Sequence, residues 1–285
     1  MSCAPLSPDN FILRDMYSSD IAAAHALSNR LRWPHRAEDW EQMYRLCRGV
    51  VIETPEAEVI GTSLAFLQGD VGTIGLVIVD PRYQGMRLGR RLMEASLSLT
   101  GRRSVVLNAT DAGVPLYRKL GFEETGAVSQ IQGSSAFSTG GDTRDRIRAA
   151  TADDLEKLVV LASSAAGFDR REVITTYFAS ANSTVVYMEN AGLAGFGICR
   201  RFGHGYQIGP VVAANSEQAR EIVTALLADV RGEFVRIDCP EHDELASVLG
   251  PASLRCVGQV RTMCRGKLVL PQSVRQFAIA SQALG

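Results

Sequence analysis

Lysine is nearly missing from this chain of 285 residues: Lys119, Lys157 and Lys267 are the only three among 30 basic residues. Net charge is also missing. A formal charge of −1 supplies no field that would steer the chain onto a polyanion, so no nucleic-acid partner is expected. No apolar run approaches the ~20 residues that a membrane span needs. The opening MSCAPLSPDN has neither a basic start nor an apolar stretch behind it, so a cytoplasmic protein with no membrane partner is expected. Cys3, Cys47, Cys199, Cys239, Cys256 and Cys264 form no CxxC pair and no cluster with histidine, which argues against a disulfide framework or a zinc site. Reduced thiols and no metal are expected.

What is present is apolar. A hydrophobic fraction of 46% against 21% charged residues builds a substantial core, and the length suggests two domains. In chain order, a strand at 11–14 precedes a helix over 22–31 with Ser18, Ser19 and Asp20 as cap candidates. The segment Arg32 to Trp40, RWPHRAEDW, then gathers both tryptophans and His35 into a polar, aromatic link, read either as one wall of a ligand cleft or as a cover for the core edge. Strands follow at 49–54, 58–66 and 72–79, then a helix over 90–99, a strand at 104–108, a helix over 111–120 and a strand from Phe122.

Between the third of these strands and the helix lies the most distinctive stretch, GLVIVDPRYQGMRLGRRL, from Gly75 to Leu92. An apolar strand ends at Pro81, and a turn containing Gly85 and Gly89 opens a helix. Such a turn directs several N–H groups and the positive end of a helix dipole at one point, which suits an anion such as a diphosphate. Downstream, Pro115 to Phe122 reads PLYRKLGF.

These two segments, in this order, resemble the GNAT superfamily of N-acetyltransferases. Its signature places Gln or Arg, then two residues, Gly, one residue, and Gly or Ala at the start of a helix. Gln84 and Gly89 match the ends of that signature, and Arg87 replaces the middle glycine. Leu116 to Phe122 is similar to the family's LYxKLGF segment. The resemblance covers about residues 10 to 130. It implies acetyl-CoA as co-substrate and a primary amine as acceptor. It places Gln84, Gly85, Met86, Arg87, Leu88, Gly89 and Arg90 at the diphosphate, backbone groups of Val77, Ile78 and Val79 along the pantetheine arm, and Asn108 at a cofactor amide. Tyr117 matches the family's general acid. For the base, His35, Glu53, Asp80 and Asp111 are candidates beside the bound water the family often uses, and Trp33, His35, Glu53 and Asp111 form the expected acceptor set.

The second half echoes the first. Arg14 and Asp20 return as Arg148 and Asp154, and strands at 183–189, 192–200 and 206–212, a helix over 216–230 and strands at 234–238 and 261–264 repeat the order. The loop chemistry does not return: Ala213, Ala214 and Asn215 stand where the glycine turn stood, and Leu249-Gly250-Pro251 replaces the LGF segment with no tyrosine ahead of it. The resulting expectation is an α+β chain of two tandem GNAT-like domains, each with a mixed, mostly antiparallel central sheet flanked by helices. The first, 1–132, is catalytic; a small, polar linker spans 133–143; and the second, 144–285, is non-catalytic. The expected activity is acetyl transfer to a small-molecule amine by direct attack in a ternary complex, by a monomer or homodimer. A protein lysine or N-terminal acceptor, or a non-catalytic acyl-CoA sensor, is the alternative.

Overall fold

In a computed structural model the chain is described over residues 10–136, 146–189, 192–240, 242–268 and 273–285. The first half runs β1 (Ile12–Asp15), α1 (Ile21–Arg30), α2 (Ala37–Leu46), β2 (Arg48–Glu53), β3 (Val59–Gln68), β4 (Val71–Val79), α3 (Leu88–Thr100), β5 (Ser104–Ala109), α4 (Val114–Lys119) and β6 (Glu123–Ser134). The second runs β7 (Ile147–Ala149), α5 (Leu155–Ala166), α6 (Arg171–Ala179), β8 (Ala181–Glu189), β9 (Gly192–Phe202), β10 (Gly205–Ala213), α7 (Ser216–Asp229), β11 (Phe234–Cys239), α8 (Ala246–Leu249) and β12 (Arg255–Arg265). These are the same ten elements in the same order, and the second half adds β13 (Arg275–Ala278).

The echo of Arg14 and Asp20 has a physical basis. Asp20 accepts the Tyr17 N–H at 2.8 Å and the Arg14 guanidinium at 2.7 Å; Asp154 accepts the Thr151 N–H and the Arg148 guanidinium at the same two distances. Each half thus starts its first helix with a buried carboxylate held by the preceding strand's arginine. Both carboxyls are held below their usual range, first by that arginine's hydrogen bonds.

The two halves share one sheet, in the order β1-β2-β3-β4-β5-β12-β6-β11-β10-β9-β8-β7, with β13 attached to β10. Its ladders are antiparallel except β4–β5 and β10–β11, which occupy the same place in each half. The closing strands are exchanged. β6 leaves its own half to lie against β11, and β12 crosses back to lie against β5, the two meeting at the centre. Gly133 and Ser134, placed at the head of the linker by their composition, instead end β6 opposite Val235 and Phe234; the linker residues from 137 onward lie outside the described residues. Apolar packing is also continuous across the halves, with Leu27, Trp40 and Leu64 in one cluster with Leu158, Ile174 and Phe196. Pulling the halves apart would unpair two long strands and expose this cluster, so groups on either side of the junction are held in fixed register.

The link RWPHRAEDW is partly helical. α2 begins at Ala37, its start held by Asp39, which accepts the Arg36 N–H at 2.8 Å. Among the described residues no helix is long and apolar enough to cross a membrane.

Candidate active site

The parallel ladder between β4 and β5 stops after Thr73–Val106. Beyond it, β4 bulges against β3: Leu76 takes φ 51°, and its carbonyl accepts the Thr62 hydroxyl at 2.9 Å. A bulge bends its strand. β4 and β5 therefore diverge, and a cleft of about 1010 Å³ opens, lined by Val77, Val79, Gln84, Arg87, Gly89 and Tyr117 among others. Ile78 points the other way and is 1% exposed, as strand alternation requires.

The glycine turn closes one end of this cleft. Asp80 is buried and accepts the Arg82 N–H at 2.9 Å, the Arg82 guanidinium at 2.8 Å and the Arg30 guanidinium, and these bonds hold its carboxyl down at about 2. It anchors the turn and is not free to act as a base. The chain then passes through Gly85 at φ 82° and Arg87 at φ 59°, ψ 13°, and α3 starts at Leu88. Arg87 therefore adopts the left-handed conformation that the family's glycine supplies, at a cost of about 1–2 kcal/mol for a residue with a Cβ. The first N–H bonded back into the helix is that of Arg90, to the Arg87 carbonyl at 3.1 Å, which leaves the N–H groups of Leu88 and Gly89 as first-turn donors. Met86 packs toward Phe11 and Leu88, away from the cleft, and Arg90 bonds Glu94 at 2.7 Å. Among the described residues the Arg87 guanidinium has no ion-pair partner.

Tyr117 enters from α4. It is 9% exposed, with its ring edge-on to Phe122 at 6.1 Å, and burial pushes its phenol up to about 12. The hydroxyl stays protonated at neutral pH and is a donor.

A second pocket of about 260 Å³ lies where the halves meet. Trp33 and Thr110 line both spaces, so the pocket and the cleft adjoin. His35 lines the pocket; its carbonyl pairs with His25, its Nδ1 has no partner, and burial above all pushes its imidazole down to about 4, so it is neutral at physiological pH. The remaining residues singled out from the sequence are less concentrated. Trp40 belongs to the core and donates its indole N–H to Ser28 at 3.1 Å. Glu53 is paired with Arg14 at 2.6 Å on β2 and lines neither space, and Asp111 is an exposed turn residue. Asn108 lines the second pocket, but its amide donates to the Gln282 carbonyl at 2.9 Å and accepts the Thr262 hydroxyl at 2.8 Å; its side chain is not available to a cofactor amide in the cleft.

The second half contributes residues that composition does not reveal: Phe202, Gln207, Arg236, Asp238 and the tail at 281–283 also line the pocket. The alternating charges of FVRIDC were the available signal, since Arg236 and Asp238 fall on one face of β11.

Where the second half repeats the cleft, the space is filled. The β10–β11 ladder stops after Ile208–Ile237, and β13 then pairs with β10, Val211 opposite Ala278, while the Ile279 N–H donates to the Asp238 backbone carbonyl at 2.9 Å. The turn into α7 caps itself. Asn215 accepts the Gln218 N–H, and the Gln218 side chain accepts the Ala214 N–H, each at 3.0 Å. Among the described residues no group of three His, Cys, Asp or Glu side chains gathers as metal ligands.

Comparison with known proteins agrees with this layout. Two models of the acetyltransferase (GNAT) domain match, one over residues 46–124 and the other over 158–278. The uncharacterized N-acetyltransferase YitH of Bacillus subtilis (strain 168) is 27% identical over 274 residues, 95% of this chain and 97% of that one. The N-alpha-acetyltransferase RimI of Mycobacterium tuberculosis (strain ATCC 25618 / H37Rv) is 35% identical over 82 residues, 27% of this chain and 50% of that protein. A solved protein from Pyrococcus horikoshii shares the fold, with a TM-score of 0.82 over 100% of this chain and 99% of that one at 18% identity.

Proposed function

Given that the chain belongs to the GNAT family of acetyltransferases, with one such domain in each half, we propose that it transfers an acetyl group from acetyl-CoA to the primary amine of a small molecule, using one site, in the first half. The observation that carries this reading is the junction at Trp33 and Thr110 between the cleft and the pocket, which lets a donor and an acceptor meet end to end.

The first-half cleft has the groups acetyl-CoA asks for. The first-turn donors of α3 and the helix dipole would receive the diphosphate, the dipole alone contributing about 0.3–1 kcal/mol. The β4 edge beyond Thr73 has backbone groups with no β5 ladder partner, which would pair with the pantetheine amides. A backbone N–H aimed at the thioester oxygen favours the charge that develops there, an effect worth about 3–4 kcal/mol where such donors have been removed. The amine attacks as the free base, a C–N bond forms and the C–S bond breaks; the Tyr117 hydroxyl supplies the proton taken by the departing sulfur, and the proton shed by the nitrogen passes to bound water and restores the Tyr117 phenol.

The match to the N-alpha-acetyltransferase RimI favours a second reading, acetylation of a protein N-terminus. The pocket walled by Phe202 and the tail at 281–283 has a volume of about 260 Å³, which supports the small-molecule reading over this one. Tyr117→Phe is expected to lower kcat by about 10²-fold or more while acetyl-CoA affinity stays within about twofold. Unchanged turnover would remove Tyr117 from the reaction, and acetyl-CoA binding without turnover on any amine would make the chain a sensor.

A further inference from the structure

The pocket between the halves is built from charged and polar groups that a core would not bury without a reason. Asp238 is 0% exposed, Gln207 1%, Ser281 6% and Arg236 7%, and all four line the same space. Burying such groups is costly unless each is paired, so the pairing pattern shows what is still open.

Asp238 is full. One carboxylate oxygen accepts Arg236 Nε at 3.0 Å and the Gln282 amide at 3.2 Å; the other accepts Arg236 Nη2 at 2.9 Å and the Gln207 amide at 3.0 Å. It offers no lone pair to an incoming ammonium group. Arg236 is not full: Nε and Nη2 face Asp238, its plane lies over the Phe202 ring at 5.5 Å, and among the described residues Nη1 has no partner. The Ser281 hydroxyl also lacks a partner. Behind them, buried Arg200 bonds Gln207 at 2.7 Å and keeps its Nε unpaired. Arg32 stands at the pocket as well, and among the described residues Asp238 is the one acid in its lining, so arginine outnumbers carboxylate there.

We propose that this pocket selects an acceptor amine that also carries a carboxylate, an amino acid or a close relative, with the carboxylate on Arg236 and Ser281 and the amine directed to the junction at Trp33 and Thr110. Unsatisfied donors and an excess of guanidinium match a carboxylate, and the same field opposes polyamines and other polycations. At about 30 Å³ per water the volume holds about nine waters, the size of an amino acid rather than an oligosaccharide. The proposal rests on the acetyl-transfer reading for the role of the amine, but not for the binding of the carboxylate.

The test has two readouts. Thiol release from acetyl-CoA is measured on matched pairs: phenylalanine and phenethylamine, ornithine and putrescine, glycine and methylamine. Binding of the same compounds to the full chain with CoA present is measured by calorimetry. The carboxylate-bearing member of each pair is expected to lead in kcat/KM and affinity by about tenfold to a hundredfold, the scale of a charged hydrogen bond. The double variant Arg236→Gln, Asp238→Asn removes both charges and leaves neither orphaned; it is expected to abolish the preference, with acetyl-CoA affinity unchanged. Equal or better use of the decarboxylated members by the wild type, or a preference that survives in the double variant, overturns the proposal. Carboxylate-selective binding without turnover on any amine overturns the acetyl-transfer reading and leaves the pocket assignment standing.

Discussion

The two halves carry the same ten elements, the same capping arginine and aspartate and the same diverging pair of parallel strands, yet one cleft is open and the other closed. The difference lies in whether backbone groups are left over. In the first half the β4 edge and the first turn of α3 keep donors facing the cleft. In the second, β13 takes up the β10 edge, and Asn215 and Gln218 take up the turn into α7. Main-chain groups that would receive an extended, anionic ligand are already paired where the chain supplies the partners itself. The strand and tail that fill the second half's cleft also lead on to the wall of the pocket beside the open one, where the Gln282 carbonyl meets Asn108 at 2.9 Å.

The sharpest way to break this comparison is to place a carboxylate at each helix start. Gly89→Asp is expected to weaken acetyl-CoA binding by at least about 100-fold, as a negative charge at the α3 N-terminus opposes the diphosphate. A Cβ at Gly89 would lie 3.6 Å from Leu116, ordinary contact, so the effect is one of charge. Asn215→Asp, the counterpart at α7, keeps the cap and is expected to leave affinity unchanged. Retained affinity in Gly89→Asp, or its loss in Asn215→Asp, would show that the halves have been assigned the wrong way round.

A smaller effect is expected from dislodging the filling strand. A Cβ at Gly209 would lie 2.1 Å from the Ile279 carbonyl oxygen, an approach only glycine permits. Gly209→Ala is expected to cost about 2–3 kcal/mol in denaturant unfolding, without creating a second acetyl-CoA site, because the Asn215 cap remains. Two bound equivalents in that variant would mean that β13 alone keeps the second half empty.

The smallest effect concerns Arg87. Arg87→Gly relieves the left-handed strain at the price of a more flexible unfolded chain, and a net gain of about 0.5 kcal/mol is expected from thermal unfolding. Acetyl-CoA affinity should fall a few-fold, less so at high salt, if the unpaired guanidinium meets a phosphate. A stability loss would show that the αL backbone depends on the arginine side chain.

Much of this asymmetry was legible in the sequence, because it is local. Gly85, Gly89 and the segment around Tyr117 mark a turn and a helix by residue type alone, and Ala213, Ala214 and Asn215 mark their loss. The pairing of distant strands left no such trace. That β6 lies against β11 and β12 against β5 is a choice among strands of similar composition, and β13, four residues long, sits among residues too irregular to show a period. Arg236 and Asp238 were missed for a related reason: charges in a strand read as its solvated face, and only the second half's burial against the first turns them inward. Asn108 shows the same limit: expected at a cofactor amide, it lines the second pocket instead, with its side chain bonded to the tail.

The central claim is that one chain holds one acetyl-CoA, in its first half. Native mass spectrometry of the full chain titrated with acetyl-CoA tests it directly. The account predicts saturation at one equivalent per chain and none bound to Gly89→Asp; two equivalents in the wild type, or one retained by Gly89→Asp, would contradict it.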